Sequence, residues 1–302
     1  MPQRAGVVGL GDMGSGIAGN LIRAGFETSG YDPDTARLQA FSVSGGRAAA
    51  SAGDAGIGSD AVFVMVMNGE QAHSVICGDG GLTSTMSPGS IILLTATVSP
   101  GDARDIAGKL AGSGIDLVDS PVSGGFPGAQ AGTLTMMASA PSAVLERARP
   151  VMEAVSSAIY HVGTEAGMGQ TVKACLQSLI GSVFTATFEA SVLAAAAGVD
   201  AETIQSVFSN SSAGSGASNT ALDNIVTGKF EKSGSHIRTM YKDMTLAMDL
   251  ARDLGVPLFT ASAAMQLFQA GITRYPDGDN WAVTKITEEI VGHGLRRRDN
   301  QS

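Results

Sequence analysis

Three glycines at G-x-G-x-x-G spacing, Gly9-Leu10-Gly11-Asp12-Met13-Gly14, close the apolar run of residues 5–10. Each glycine has a separate physical task. Gly9 permits a tight turn, Gly11 lets a pyrophosphate approach the backbone, and Gly14 lets a helix lie close on a strand. A helix opening through Asp12 and Met13 turns its first N–H groups and a partial positive charge toward phosphates. Asp32 follows 18 residues after Gly14, where the second strand of a βαβ unit should end. A carboxylate there accepts hydrogen bonds from the ribose hydroxyls of NAD and repels the additional phosphate of NADP. The segment Tyr31-Asp32-Pro33-Asp34 brings no basic residue before Arg37. Gly9, Gly11, Asp12, Met13, Gly14 and Asp32 therefore form a candidate NAD site. Other chemistry-bearing residues do not gather in sequence. His73, His161 and His293 are scattered, no H-x-x-x-H or C-x-x-C occurs, and no metal is assigned. Cys77 and Cys175 are too few for a disulfide framework, and Cys175 reads as a core residue.

The elements that must position these residues follow from the apolar pattern. Residues 5–10, 27–32, 61–67, 90–95 and 115–119 read as strands, with helices over 13–24, 35–41, 70–76 and 102–110 between them. Short apolar runs that do not alternate with polar residues suit a parallel sheet covered on both faces. Runs 133–138 and 158–162, flanking a helix over 142–155, extend that sheet. Beyond residue 164 the pattern is helical throughout, over 167–197, 201–208, 217–227, 235–254, 259–270 and 280–291. The expected fold is thus a doubly wound α/β Rossmann domain (1–164) followed by an all-α domain for substrate and dimerisation (165–302). A helix of about 45 Å, ending at Gly198, joins them.

Composition sets bounds on function. The 302 residues are 44% hydrophobic and 16% charged, enough apolar material for a core and too much for a disordered chain. A formal charge of −9 excludes the basic face that nucleic-acid binding needs. Residues 5–10 are broken at once by Gly11 and Asp12, so no signal peptide is expected. The longest apolar stretch, 179–198, is interrupted by Ser182, Thr185, Thr187, Glu189 and Ser191, so no membrane span is expected either. A cytoplasmic protein follows from these readings. With only 5% aromatic residues and 40 glycines, helices must pack closely over small side chains. The run Arg296-Arg297-Arg298 reads as a solvated end, Ser/Gly/Asn-rich residues 208–219 as an interhelix loop, and Trp281 as a domain or subunit contact.

Four blocks spread over nearly the whole chain resemble the β-hydroxyacid dehydrogenase family. Residues 6–19 (GVVGLGDMGSGIAG) resemble its cofactor signature. Asp119-Ser120-Pro121-Val122-Ser123-Gly124-Gly125 resembles its substrate-binding D-x-P-V-S-G-G. Gly167-Met168-Gly169 with Lys173 and Gln177 resembles its G-x-G-x-x-x-K-x-x-x-N/Q, and Lys242-Asp243 its helical-domain K-D. The resemblance implies an NAD-dependent enzyme that moves a hydride between nicotinamide and the hydroxyl of a 3-hydroxy acid. Lys173 would be the general acid/base, which requires its pKa to fall from about 10.4. Ser123, Gly124 and Gly125 would hold the substrate carboxylate through a hydroxyl and backbone N–H groups. Gln177, one helical turn after Lys173, would bond substrate or hold the lysine. Lys242 would close over cofactor and substrate with Asp243 in support, and Met67, Asn68 and Thr97 would line the nicotinamide ribose and ring.

Departures from the family pattern bear on specificity. Where members often read D-x-S-T-x-S-P, this chain has Leu94 and Ala96 in place of Asp and Ser, keeping Thr97 and Ser99-Pro100. That removes polar support behind the ring contact. Leu176-Gln177 resembles L-threonate dehydrogenase-type members more than 3-hydroxyisobutyrate dehydrogenase. Ser235 replaces a Phe common seven residues before the K-D lysine, and His236 and Arg238 add hydrogen-bonding capacity. A polar substrate such as threonate or a β-hydroxy amino acid follows if Ser235 lines the pocket; the plainer reading makes Ser235 a helix N-cap. The same chemistry run backwards gives a semialdehyde reductase, of tartronate or succinate semialdehyde type. An imine reductase is disfavoured because that group replaces the lysine, and a silent NAD-binding module would need neither Lys173 nor the S-G-G loop. The family also implies a homodimer or homotetramer.

Overall fold

The apolar runs at 5–8, 61–64 and 91–94 become strands with both faces covered, as a computed structural model describing residues 4–295 shows. The strands are β1 (Arg4–Val8), β2 (Glu27–Tyr31), β3 (Arg47–Ala48), β4 (Ala61–Val64), β5 (Ile91–Leu94), β6 (Asp116–Asp119), β7 (Val122–Ser123), β8 (Leu134–Ser139) and β9 (Ser156–Gly163). They form one sheet in the order β3-β2-β1-β4-β5-β6-β8-β7, with β9 on β8. Successive side chains go to opposite faces. Val7, Phe63 and Leu93 enter one apolar cluster, and Val8, Val64 and Leu94 the other. The first cluster takes in Ile17 and Leu21 of helix α1 (Asp12–Arg23), Ala129 of α6 (Gly125–Ala131), and Leu145, Ala148 and Met152 of α7 (Ser142–Glu153). The second takes in Ala55 of α3 (Ala52–Gly56), Ile76 of α4 (Gly69–Cys77), and Ile106 of α5 (Pro100–Leu110). Helix α2 (Thr35–Val43) follows β2.

Two features differ from the sequence reading. The sheet is mixed: β1 to β6 are parallel, but β8 runs antiparallel to β6 and β7 and parallel to β9. β6 and β7 run in the same direction, interrupted at Pro121, which has no N–H to extend a ladder, and the chain reverses between β7 and β8 through α6. The small elements β3, α3, β7 and α6 escape the pattern, because 2 to 7 residues are too few to show a period.

The chain divides into two compact units, 1–173 and 174–302, and the division falls within the long helix α8 (Met168–Ala196). The second unit continues with α9 (Ala201–Asn210), α10 (Gly216–Val226), α11 (Ile237–Leu254), α12 (Phe259–Arg274) and α13 (Thr284–Val291). A 3-10 turn, Asn280–Val283, precedes α13. Its core holds Phe184, Phe188, Ile225, Met244, Phe268 and Trp281. Trp281 is therefore a core residue, edge-on to Phe184, with its indole N–H on the Ser233 hydroxyl. That corrects its reading as a domain or subunit contact. The loop expected over 208–219 shrinks to 211–215, because Ser215 and Ser218 form a capping box that starts α10. Cys175 is exposed and not core. Helix α8 is the one described helix long and apolar enough to cross a membrane, although Lys173, Gln177 and Glu189 lie along it. The arginine run 296–298 lies outside the described residues.

Candidate active site

The glycine loop is built as its spacing predicts. Gly9 has φ +93°, and a Cβ there would stand 2.2 Å from the Met65 carbonyl oxygen. A Cβ on Gly14 would lie 1.8 Å from the Gly9 carbonyl oxygen, so only glycine lets α1 sit on the turn. At Gly11, by contrast, nothing comes nearer to a Cβ than the Arg37 guanidinium at 3.6 Å. Gly11 is the N-cap of α1 and offers no side-chain cap to the N–H groups of Asp12, Met13 and Gly14. Space and donors meet at one point, a fit for a dinucleotide pyrophosphate.

Asp32 is buried and does two things at once. One carboxylate oxygen accepts from the Leu10 N–H (2.7 Å) and the other from the Asp34 N–H (2.9 Å), fixing the glycine loop to the end of β2. Arg37 approaches both Asp32 and Asp34 at 3.6 Å. Each Asp32 oxygen retains a lone pair for a ribose hydroxyl. Further along the strand ends, Asn68 caps α4 through the Gln71 N–H, and the Met67 N–H donates to the Gln71 side chain, leaving the Met67 side chain exposed. Thr97 is half-buried in the turn after β5.

Ser123 ends β7, and Gly124 and Gly125 carry φ of +124° and +58°. These left-handed conformations let the chain turn straight from β7 into α6. Asn20 fixes this loop to the cofactor helix: its Nδ2 donates to Gly16 O (2.8 Å) within α1 and to Ala129 O (2.7 Å) on α6. The two helices touch closely, since a Cβ on Gly16 would meet the Ala129 backbone at 2.6 Å. Sequence reading passed over Asn20. A lone amide among small residues on the helix's inner face was the available signal.

Lys173 is 7% exposed, on the second turn of α8. The helix start is held by Asp119, fully buried at the end of β6. Asp119 Oδ2 accepts from the Gly167 N–H (2.8 Å), the Gly169 N–H (3.1 Å) and the Ser139 hydroxyl (3.1 Å). Its Oδ1 accepts from Gln170 Nε2 (2.8 Å). Burial pushes the Asp119 carboxyl above its ordinary value, and the bonds from Gln170, Gly167 and Ser139 oppose that without cancelling it. Both motif glycines are needed. Gly167 has φ +95°, and a Cβ on Gly169 would stand 2.5 Å from Met137 O and 2.7 Å from Asp119 O. Asp119 opens the quoted D-x-P-V-S-G-G block, but its bonding to a helix 50 residues away leaves no mark in local sequence.

In the second unit, Gln177 Nε2 donates to Asp243 Oδ2 (2.7 Å), and Lys242 Nζ pairs with Asp243 Oδ1 at 2.9 Å. Gln177 and Lys242 are thus joined through one buried carboxylate, Asp243. Ser235 is not an N-cap: His236 holds that position, and the Ser235 hydroxyl accepts from Asn280 Nδ2 (2.9 Å). His236 pairs with buried Asp279 (3.4 Å), and Arg238 donates to Pro276 O (2.7 Å) and approaches Asp277. These two side chains tie α11 to the 276–279 segment. Among the described residues no three His, Cys, Asp or Glu side chains group around a possible metal position.

Comparison with known proteins places both halves of the chain among NAD-binding dehydrogenases. A family model described as the NAD binding domain of 6-phosphogluconate dehydrogenase matches residues 4–163. One described as NAD-binding of NADP-dependent 3-hydroxyisobutyrate dehydrogenase matches residues 167–287. L-threonate dehydrogenase of Escherichia coli O6:H1 is 35% identical, over 96% of this chain and 97% of the relative. NAD-dependent L-serine dehydrogenase of Pseudomonas aeruginosa is 31% identical, over 94% of this chain and 98% of the relative. The crystal structure of a 3-hydroxyisobutyrate dehydrogenase from Salmonella typhimurium superposes with a TM-score of 0.86 at 35% identity, covering 94% of this chain and 99% of that one.

Proposed function

The chain belongs to the β-hydroxyacid dehydrogenase family, and from that premise we propose that it oxidises a polar 3-hydroxy acid of threonate type with Lys173 as general base. It is an NAD-dependent hydroxyacid dehydrogenase. The observation that supports the assignment of Lys173 is its burial on a helix turn whose start is bonded to the end of β6. The dinucleotide, held by Gly9, Gly11, Gly14 and Asp32, supplies the hydride acceptor when bound. In this reading the Ser123 hydroxyl and the N–H groups of Gly124 and Gly125 bind the substrate carboxylate. The Lys173 amine takes the proton of the substrate hydroxyl and passes it to water; in the reverse direction the ammonium gives a proton to the carbonyl. The base role requires the amine to be neutral when the substrate hydroxyl meets it. Gln177, on the same face of α8 one turn on, has its Nε2 on Asp243 and offers its Oε1 to an additional hydroxyl, which favours threonate-like substrates over aliphatic ones. Lys242 contributes a cofactor contact, held by Asp243.

The test is NADH formation at 340 nm across L-threonate, D-erythronate, D-glycerate, 3-hydroxyisobutyrate, L-serine and phenylserine. Turnover should be fastest with a polar member and with NAD over NADP. Lys173→Ala should lower kcat about 10²–10⁴-fold while NADH affinity is kept. Full activity in that variant would sink the mechanism.

The assembly is proposed as a homodimer in the cytoplasm. On α8, Met168, Val172, Leu179 and Leu193 are exposed along one face of the helix, with Leu179 61% and Leu193 73% exposed. Only 33% of the most apolar window of α8 is buried. A second copy covering that stripe accounts for an apolar surface of this length.

A further inference from the structure

We propose that Gln170 is a positioning residue that registers the turn carrying Thr97 against the turn of α8 carrying Lys173. Its side chain is 1% exposed and bonded at both ends. The Oε1 accepts from the Val98 N–H (3.1 Å), and Nε2 donates to Ala96 O (3.1 Å) and to Asp119 Oδ1 (2.8 Å). One amide thus holds the main chain on both sides of Thr97, from a residue three positions before Lys173 on the same helix. Asp119 secures the other side of the node through the Gly167 and Gly169 N–H groups. Only a primary amide can accept from Val98 and donate twice with no charge; a carboxylate would face Asp119 with no donor, and an apolar side chain would leave three buried groups unanswered.

The chain needs this clamp for a reason visible in the turn itself. Leu94 and Ala96 have apolar side chains, so neither can bond the main chain of the turn. Gln170 restrains the backbone of Ala96 and Val98 instead. The inference rests on the proposed roles of Thr97 at the nicotinamide ring and Lys173 at the substrate proton. Their spacing sets the geometry in which hydride and proton leave the same carbinol, and an error near 1 Å there can lower a rate about a hundredfold.

Gln170→Met keeps the volume and removes every bond; Gln170→Glu keeps the shape and removes the donors. Hydrogen exchange followed by mass spectrometry on wild type and both variants should show faster exchange in residues 95–99 and 167–173 together, with β1 and β4 unchanged. With the best hydroxy acid, NADH affinity should stay within about threefold, and kcat should fall about 10- to 100-fold. The deuterium isotope effect at the carbinol carbon should rise as hydride transfer becomes rate-limiting. Unchanged kcat and isotope effect in a variant that only melts earlier would show a merely structural residue and overturn the proposal. Faster exchange in one segment without the other would also overturn it. A wild type that oxidises no hydroxy acid would refute the proposed reaction, whereas the exchange result stands apart from turnover and still decides whether Gln170 couples the two segments.

Discussion

At the scale of single residues, glycine acts here by what it leaves out, and the three loop glycines leave out different things. Gly14 cannot take a side chain, because a Cβ would overlap the Gly9 carbonyl at 1.8 Å. Gly11 can: its φ is −66°, and the nearest neighbour to a Cβ is a flexible guanidinium at 3.6 Å. Two substitutions of the same size should therefore behave differently. Gly11→Ala is expected to melt within a degree or two of wild type and to bind NADH at least about tenfold more weakly, since its methyl occupies the pyrophosphate approach. Gly14→Ala is expected to lose stability as well, by about 1–3 kcal/mol. Fluorescence titration with NADH beside thermal melts separates the two. Equal melting losses would show that the Gly11 space belongs to the fold and not to the ligand.

Elements are held together here by buried polar groups that work between them. Asn20 is the clearest case, joining α1 and α6 by one amide with two acceptors. Asn20→Ala should cost about 1–3 kcal/mol in chemical denaturation, because the Ala129 carbonyl then stays buried without its partner. It should also raise KM for the hydroxy acid more than for NAD, since α6 carries the S-G-G loop. An unchanged KM would detach that loop from the helix contact. At the other side of the sheet, Asp54 of α3 accepts from the Ala50 N–H (2.8 Å) and pairs with Arg47, which hold its carboxyl below the ordinary 3.8. A lowered folded pKa means that Asp54 stabilises the fold above the unfolded value and loses that contribution as pH falls through the folded one. The stability gap between wild type and Asp54→Asn should therefore be constant near neutrality and shrink below about pH 4. A gap that widens toward acid would reverse the sign.

For the whole molecule, the proposed homodimer rests on the apolar stripe of α8. Light scattering should give twice the chain mass of 30.5 kDa. Leu179→Glu combined with Leu193→Glu should yield monomers, as two charges are then forced into the interface. A wild-type mass near that of one chain would leave the stripe without its proposed cover. NADH above its Kd should raise the melting temperature, and go on raising it with the logarithm of its concentration over Kd, because ligand binding to the folded state alone adds stability.

The sequence by itself determined the doubly wound strands, the helical second half, the glycine loop with Asp32, and the residues of the four family blocks. These are local signals: a period of two or 3.6, a spacing of glycines, a carboxylate at a strand end. Tertiary structure alone decided the rest. The reversal through α6 made β8 antiparallel, and a register between distant strands is not written in either strand. Asp119 and Gln170 acquired their roles from partners on other elements, up to 74 residues away. His236 and Arg238 had the right chemistry for a polar pocket, yet their partners lie on the 276–279 segment. Buried polar groups must find partners wherever the fold brings them, and that choice is made only when the chain has closed on itself.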